Sequence, residues 1–311
     1  LSFKDKTNKK ALMGTITHKV MQTLGDKKVA MKNGLDIVED DETGRNLTLE
    51  ECDDLELLND IAFNYYSNAF PEVDITEADK RTCLKWAEKA VAYQDGALDP
   101  RNQDVFATEL FFDIEIKEPW AKYKYDFEDQ TIEGYLSIKG TVDLIVSQGG
   151  DYYEILDYKT GKRIDWATGE EKTYEKLQKD TQLLLYYYAL KNMYPEREFS
   201  VSIYYINNGG LFSMVFDEDD YKLAESILRK KFEQIRSIQQ PRLLSNEHAH
   251  WKCKKLCLFS SEYEDSGKSI CQHIRDEVKE KGIVKVVEEY GKIDKIATYG
   301  DGGGRLADDS D

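Results

Sequence analysis

Long apolar runs are missing from this sequence. No stretch approaches the roughly 18 consecutive apolar residues that a membrane-spanning helix needs. The opening LSFKDKTNKK has no apolar core of the kind a secretory leader carries, and no initiator methionine. We therefore read the chain as a fragment whose upstream part is missing. Cysteine is scarce: five residues, an odd number, do not suit a secreted disulfide framework. The expectation is reduced thiols and a cytoplasmic location, bacterial or, for a phage-encoded protein, that of its host, with no membrane partner. Positive charge is also short, with 43 Lys and Arg against 60 Asp and Glu, a net charge of −17. That sign argues against loose electrostatic coating of a nucleic acid. It leaves open local phosphate contacts bridged by a divalent metal. Part of the acid lies in peripheral runs, Glu39–Glu42, Glu50–Glu56, Asp217–Asp220 and Asp308–Asp311, which read as solvated faces or tails.

What is present suffices for a packed core. The 311 residues are 41% apolar and 12% aromatic, with 20 tyrosines, enough for one large domain or a core domain with an insertion. Residues 11–25, ALMGTITHKVMQTLG, space Leu12, Ile16, Val20 and Leu24 as one helix face, with His18 inside the helix and Gly25 as its stop. Between 28 and 102 the pattern predicts helices near 55–69 and 75–95, the second opened by Thr76 with Glu77 and Asp79 in its first turn. From 105 onward strands take over, followed by a helix at 173–192 and a hairpin turning at Asn207-Asn208-Gly209-Gly210. Helices are again expected at 218–238, which ends in the basic Arg229-Lys230-Lys231, and at 275–290. The Gly- and Asp-rich 299–311 is predicted to be a disordered tail. The expected division is an N-terminal helix (1–27), a helical insertion (28–104), a core (105–247), a Cys-rich segment (248–298) and the tail (299–311). The fold class is α/β, a mixed central sheet flanked by helices.

The chemistry concentrates in 136–163, YLSIKGTVDLIVSQGGDYYEILDYKTGK. Two apolar runs flank Ser147-Gln148-Gly149-Gly150-Asp151 and read as a β-hairpin. Strand alternation points Asp157 and Lys159 the same way and Glu154 the other. A three-residue Gly149–Asp151 loop sets Asp143 across from Asp157. Two carboxylates and an ammonium on one half-buried face are costly unless a cation holds the carboxylates together. Such a set suits phosphodiester hydrolysis: the metal polarises the phosphate and acidifies water, and the lysine offsets charge on the phosphorane. An ordinary surface Asp–Lys pair is the alternative, since D-x-K alone is common. Gln182 and Tyr186, four apart on a helix, share a face and could bond a nucleic-acid strand or buttress the catalytic residues. Taken alone, that Leu- and Tyr-rich helix reads as core.

Together these elements resemble the PD-(D/E)XK nuclease superfamily, and within it the RecB-like exonuclease branch. The matching residues are G-T-V-D-L-I at 140–145, E-I-L-D-Y-K-T-G at 154–161, Q-L-L-L-Y at 182–186 and G-T-I-T-H at 14–18. The resemblance covers about 11–25 and 105–275 and leaves the 28–102 region uncovered. It implies a restriction-endonuclease-like fold, with His18, Asp143, Asp157 and the Tyr158 backbone carbonyl as ligands for Mg²⁺ or Mn²⁺. Lys159 is implied as catalytic, and Glu109 as an auxiliary acid, with a surface strand acid as its alternative. An imidazole ligand favours Mn²⁺ over Mg²⁺.

The segments H-A-H-W-K-C-K-K-L-C at 248–257 and C-Q-H at 271–273 hold three of the five cysteines. Two metal readings stand side by side, with three free thiols as the alternative to both. One is a structural Zn²⁺ held by Cys253, Cys257, Cys271 and His273. The other, slightly preferred, is a [4Fe–4S] cluster, because iron–sulfur nucleases of the RecB-like type carry three cysteines here and a fourth ahead of the His helix. No cysteine precedes His18 in this chain, and the Cys-x₃-Cys-x₁₃-Cys spacing is looser than the family pattern. Cys52 or Cys83 could substitute, although Cys83 reads better as a buried small hydrophobe.

Local basic residues, Lys162, Arg163, Lys172, Lys176 and Lys179, with Lys252, Lys254 and Lys255 around the cysteines, are candidates for DNA contact. Trp166, Tyr174 and Trp251 are candidates for base stacking. The reading is a metal-dependent deoxyribonuclease, an exonuclease acting at DNA ends in recombination, repair or phage DNA processing, with a helicase or recombination protein as possible partner. The alternatives are a non-catalytic DNA-binding scaffold subunit and a restriction-type endonuclease, the latter disfavoured by the Q-x-x-x-Y helix.

Overall fold

The computed structural model describes residues 7–127, 130–165, 168–237 and 257–290. Trp166, Trp251, Lys252, Cys253, Lys254, Lys255 and the 299–311 tail fall outside the described residues. The chain divides into two compact units, one spanning Lys9–Ser237 and one containing the described C-terminal residues.

In the first unit, α1 (Lys9–Lys32) leads into a hairpin, β1 (Ile37–Asp40) and β2 (Arg45–Thr48), then α2 (Leu55–Ala69) and α3 (Glu77–Val91). Next come β3 (Val105–Glu115), a small hairpin of β4 (Lys122–Phe127) and β5 (Gln130–Tyr135), then β6 (Ser137–Gly149) and β7 (Tyr152–Lys159). The unit closes with α4 (Tyr174–Gln178), α5 (Thr181–Met193), β8 (Glu198–Tyr205), β9 (Gly210–Val215) and α6 (Glu218–Arg236). Five strands form a mixed sheet in the order β3-β6-β7-β8-β9. Only β7 and β8 run parallel, and α4 with α5 makes the crossover that a parallel pair requires.

The hairpin register is the decisive detail. β6 pairs with β7 through Leu144↔Leu156 and Ile145↔Ile155, which brings Asp143 abreast of Asp157. The turn differs from the expected three-residue loop. Gly149 pairs with Tyr152 across a two-residue Gly150-Asp151 turn, and a bulge between Ser147 and Gly149 absorbs the extra residue. The left-handed φ values of Gly149 (98°) and Gly150 (58°) are cheap only for glycine. Turn and bulge together arrive at the register the longer loop would have produced.

The sheet is covered on both faces. On one, α5 lays Leu183, Leu184, Tyr187 and Leu190 into a core with Ile145, Ile155, Val201 and Ile203. On the other, Val20, Met21 and Leu24 of α1 pack with Leu144, Leu156, Tyr158 and Tyr204. Farther along α1, Leu12, Met13 and Ile16 meet Ala62, Phe63, Tyr66 and Cys83 of α2 and α3. Each such aliphatic side chain contributes on the order of 1.5–3 kcal/mol by leaving water. Thr76 opens α3 as the sequence predicts, and the structure adds a reciprocal cap between Thr76 and Asp79.

Three expectations change. Gly25 does not end α1; it lies buried in the interior of a helix that continues to Lys32. A Cβ there would overlap the Thr108 methyl, so glycine serves close packing on β3 instead of termination. The 28–104 stretch is not purely helical, because it contains the β1–β2 hairpin. The helix expected over 173–192 is split, since the Asp180 side chain accepts from Gln182 N and starts α5 afresh.

In the second unit, α7 (Ile270–Lys281) is capped by Ser269 and followed by α8 (Ile283–Tyr290). Among the described residues no helix is long and apolar enough to cross a membrane.

Candidate metal centre and catalytic face

At the end of β7, Asp157 is fully buried. Lys159, two residues along the same strand and therefore on the same side, donates from Nζ to Asp157 Oδ1 at 2.8 Å. The second carboxylate oxygen lies 2.7 Å from the same ammonium but outside hydrogen-bonding alignment, with no other partner among the described residues. Burial and the neighbouring Asp143 push the Asp157 pKa up, and Lys159 opposes them. The ammonium offsets a carboxylate that would otherwise be too costly to desolvate. The Lys159 side chain keeps 32% of its surface exposed, so part of its donor capacity faces outward.

Asp143 sits where the β6–β7 ladder stops. Its Oδ2 accepts from the backbone N–H of Tyr158 at 2.8 Å, so a side chain takes the place of a strand carbonyl. The core alternation of β6 skips a step at this point. Val142 packs in the cluster beneath α5 and Leu144 in the cluster beneath α1, although strand periodicity alone would put both on one side.

His18 comes from α1, with Nδ1 3.5 Å from Asp143 Oδ2 and its ring edge-on to Tyr158 at a centroid distance of 6.4 Å. The close approach of α1 has a local cause: a Cβ at Gly14, one helical turn before His18, would stand 3.0 Å from Thr160 Oγ1.

Glu109, expected only as an auxiliary acid, joins this group. One ligand atom each of His18, Glu109 and Asp143 lie within 4.8 Å of one another, the only such triple of metal-binding side chains among the described residues. Thr108↔Leu144 and Leu110↔Val142 bracket Glu109 and Asp143 in register. Glu109 itself has a left-handed backbone (φ 42°), which costs a non-glycine residue on the order of 1–3 kcal/mol. Burial, then the charge of Asp143, raises its pKa to about 8. Among the described residues its carboxylate has neither a hydrogen bond nor an ion pair. A half-buried acid facing another acid calls for a proton or a cation. One imidazole and two carboxylates, beside the unpartnered Asp157 oxygen, fit a divalent ion that accepts both nitrogen and oxygen.

On α5, Gln182 Nε2 donates to Tyr186 Oη at 2.7 Å. Tyr186 is buried, and its pKa is raised by burial and by the charges of Asp157 and Asp143, so the phenol remains a donor beside those acids. Most of the basic loop after β7 is already neutralised: Lys172 pairs with Asp180 at 2.6 Å and Arg163 with Glu171 at 2.7 Å. Lys176 lies 3.4 Å from Glu170. Lys162 and Lys179 have no acidic partner among the described residues. Tyr174 donates to the Ser213 carbonyl and caps the β9 edge.

The cysteine cluster is different. Cys253 lies outside the described residues, and Cys257, Cys271 and His273 do not converge as a ligand set. His273 stacks on Tyr263 at 3.8 Å, and its Nε2 meets Tyr290 Oη at 2.8 Å. Cys52 and Cys83 are fully buried in apolar clusters, their thiols pushed up to about 11 and about 12 by desolvation. They pack as small hydrophobes. The described residues lend the [4Fe–4S] expectation no support.

Set against known proteins, the chain matches no curated sequence. Two crystal structures show a distant similarity. One is a protein from Eubacterium rectale provisionally named an exonuclease, at 10% identity and a TM-score of 0.40, covering 88% of this chain and 97% of that one. The other is SSO0001, at 13% identity and a TM-score of 0.28, covering 84% and 86%. The family assignment rests on neither. The model of the PD-(D/E)XK nuclease superfamily matches residues 3–261, nearly the whole chain. Enzymes of that family hydrolyse phosphodiester bonds and generally use divalent metals such as Mg²⁺ or Mn²⁺. With the mixed sheet and its flanking helices in place, this chain belongs to the PD-(D/E)XK nuclease superfamily.

Proposed function

We propose that this nuclease is a metal-dependent deoxyribonuclease that works as an exonuclease on DNA ends, in recombination, repair or phage DNA processing. The observation that carries the reading is the convergence of His18, Glu109 and Asp143 beside the Asp157–Lys159 pair. His18, Glu109 and Asp143 would hold Mg²⁺ or Mn²⁺, with Asp157 and the Tyr158 carbonyl as the further ligands expected from the family resemblance. When bound, the ion polarises the scissile phosphate and increases the acidity of water there.

The chain's own groups supply the rest. Asp157 anchors Lys159, which directs its free N–H donors to a phosphate oxygen or the attacking water. Gln182 holds the Tyr186 oxygen, leaving the phenolic O–H to donate to the same phosphate. Glu109 stays protonated below about pH 8 and gives up that proton when a cation arrives, so metal binding releases protons. Lys162 and Lys179 add local positive charge to a strongly acidic protein. The end preference rests on the Q-x-x-x-Y helix at 182–186. A [4Fe–4S] cluster on Cys253, Cys257 and Cys271 is carried by the family resemblance alone and a Zn²⁺ site on those cysteines with His273 by the clustering of thiols, and the visible absorption and metal content of anaerobically purified protein test both.

The test of function is degradation of linear duplex, linear single-stranded and covalently closed circular DNA, with RNA as comparison, in Mg²⁺, Mn²⁺ or EDTA. Release of nucleotides from linear DNA only, abolished by EDTA, is expected. Cleavage of closed circles at an equal rate overturns the exonuclease reading, and inertness toward every substrate overturns the enzyme.

A further inference from the structure

We propose that Asp26 and Thr108 form a clamp that positions Glu109 at the metal centre, with Gly25 as the gap that lets the clamp close. This rests on the reading of His18, Glu109 and Asp143 as the metal centre and goes one layer beyond it.

Glu109 is held in a conformation its own residue type disfavours, with φ 42° in the middle of an 11-residue strand. Such a backbone persists only where its surroundings over-determine it. The residue just before it supplies those surroundings. Thr108 is gripped at both γ atoms by two consecutive residues of α1. Its hydroxyl donates to Asp26 Oδ1, and its methyl fills the space that a Cβ on Gly25 would occupy. Leu144 closes the same gap from β6, 3.3 Å from the position of that Cβ. Asp26 is itself desolvated, its pKa raised to about 6 by burial. Nothing in the proposed chemistry uses Asp26 directly.

The clamp therefore joins the helix that carries His18 to the strand that carries Glu109, at the residue adjoining the strained backbone. Without the Thr108–Asp26 bond, β3 relaxes toward ordinary extended geometry and carries the Glu109 carboxylate away from His18 and Asp143. Asp26 and Thr108 are positioning residues, since neither is among the converged ligands. Groups in this role typically change metal affinity by about 10–100-fold when lost.

The test is Mn²⁺ binding to the metal-free 311-residue chain, read by the electron paramagnetic resonance signal of free Mn²⁺, alongside cleavage at saturating Mn²⁺. Thr108→Val should weaken binding about tenfold, with kcat at saturating metal nearly unchanged. Thr108→Ser and Asp26→Asn, which keep the hydrogen bond, should stay within about threefold of wild type. Thr108→Val combined with Glu109→Gln should bind no more weakly than Glu109→Gln alone, because the clamp acts through Glu109. Thr108→Ala makes the same measurement if the valine variant does not fold. Unchanged affinity in Thr108→Val, or additive losses in the double variant, overturns the clamp. Absence of Mn²⁺ binding in the wild type overturns the metal centre itself, and the clamp with it.

Discussion

Asp157 and Glu109 are two desolvated carboxylates on one sheet with opposite electrostatic solutions. Asp157 carries its counter-ion on its own strand, Lys159, two residues away and on the same side. Glu109 has no such partner, lies in a strained backbone and faces Asp143. The first carries a cation on its own strand and keeps one buried oxygen without a hydrogen bond. The second is left for a proton or a cation to complete. Their difference separates what the fold holds permanently from what a ligand must supply.

The largest effect should come from breaking the compensated half. Lys159→Ala removes both the proposed donor toward the phosphate and the partner of Asp157. Cleavage of linear DNA should fall by about 10²–10³-fold or more in kcat. Full activity in this variant would remove Lys159 from the mechanism.

Next comes the uncompensated half. Glu109→Gln takes away one of the three converged candidate ligands, and half-saturating Mn²⁺ for cleavage should rise by about 10–100-fold. Metal dependence equal to wild type would show that Glu109 is no ligand.

A third prediction concerns pH. Glu109 holds its proton in the folded state up to about pH 8, against an ordinary value of 4.5, so folding is favoured below the ordinary value. That contribution is lost as pH rises through the folded value. Metal-free wild type should therefore lose thermal stability between about pH 5 and about pH 8, and Glu109→Gln should flatten the slope. Mn²⁺ should raise the melting temperature more at about pH 8 than at about pH 6. A slope identical in the two proteins would refute the assignment.

The smallest effect is expected at Gly14. A methyl group there meets Thr160 Oγ1 at 3.0 Å, a contact that side chain can relieve by rotating. Gly14→Ala should lower activity only severalfold, because alanine gains about 1 kcal/mol of helix propensity that offsets the crowding. Steady-state cleavage and a melting curve measure both sides.

Legibility followed distance along the chain. Asp157 with Lys159, and Gln182 with Tyr186, each lie within one element, so strand and helix periods suffice to place them together. Asp143 needed only a hairpin register, and the apolar pattern of β6 and β7 imposed it even though the turn took a different form. Glu109 was visible only as an acid in a strand, since no residue propensity announces a left-handed backbone at glutamate. Gly25 was misread because a buried glycine that admits a neighbouring strand looks, in sequence, like one that ends a helix. Asp26 and Thr108 carried no signal, being 82 residues apart.

By itself, then, the sequence determined the compensated half of the site, because period-two and 3.6-residue geometry are local and side chains within one element inherit their mutual placement from the backbone. Only the tertiary structure decided the uncompensated half. Glu109 meets Asp143 through the β3–β6 pairing, and His18 joins them because α1 seats against Thr160 at Gly14 and against Thr108 at Gly25, close packing between elements far apart in the chain.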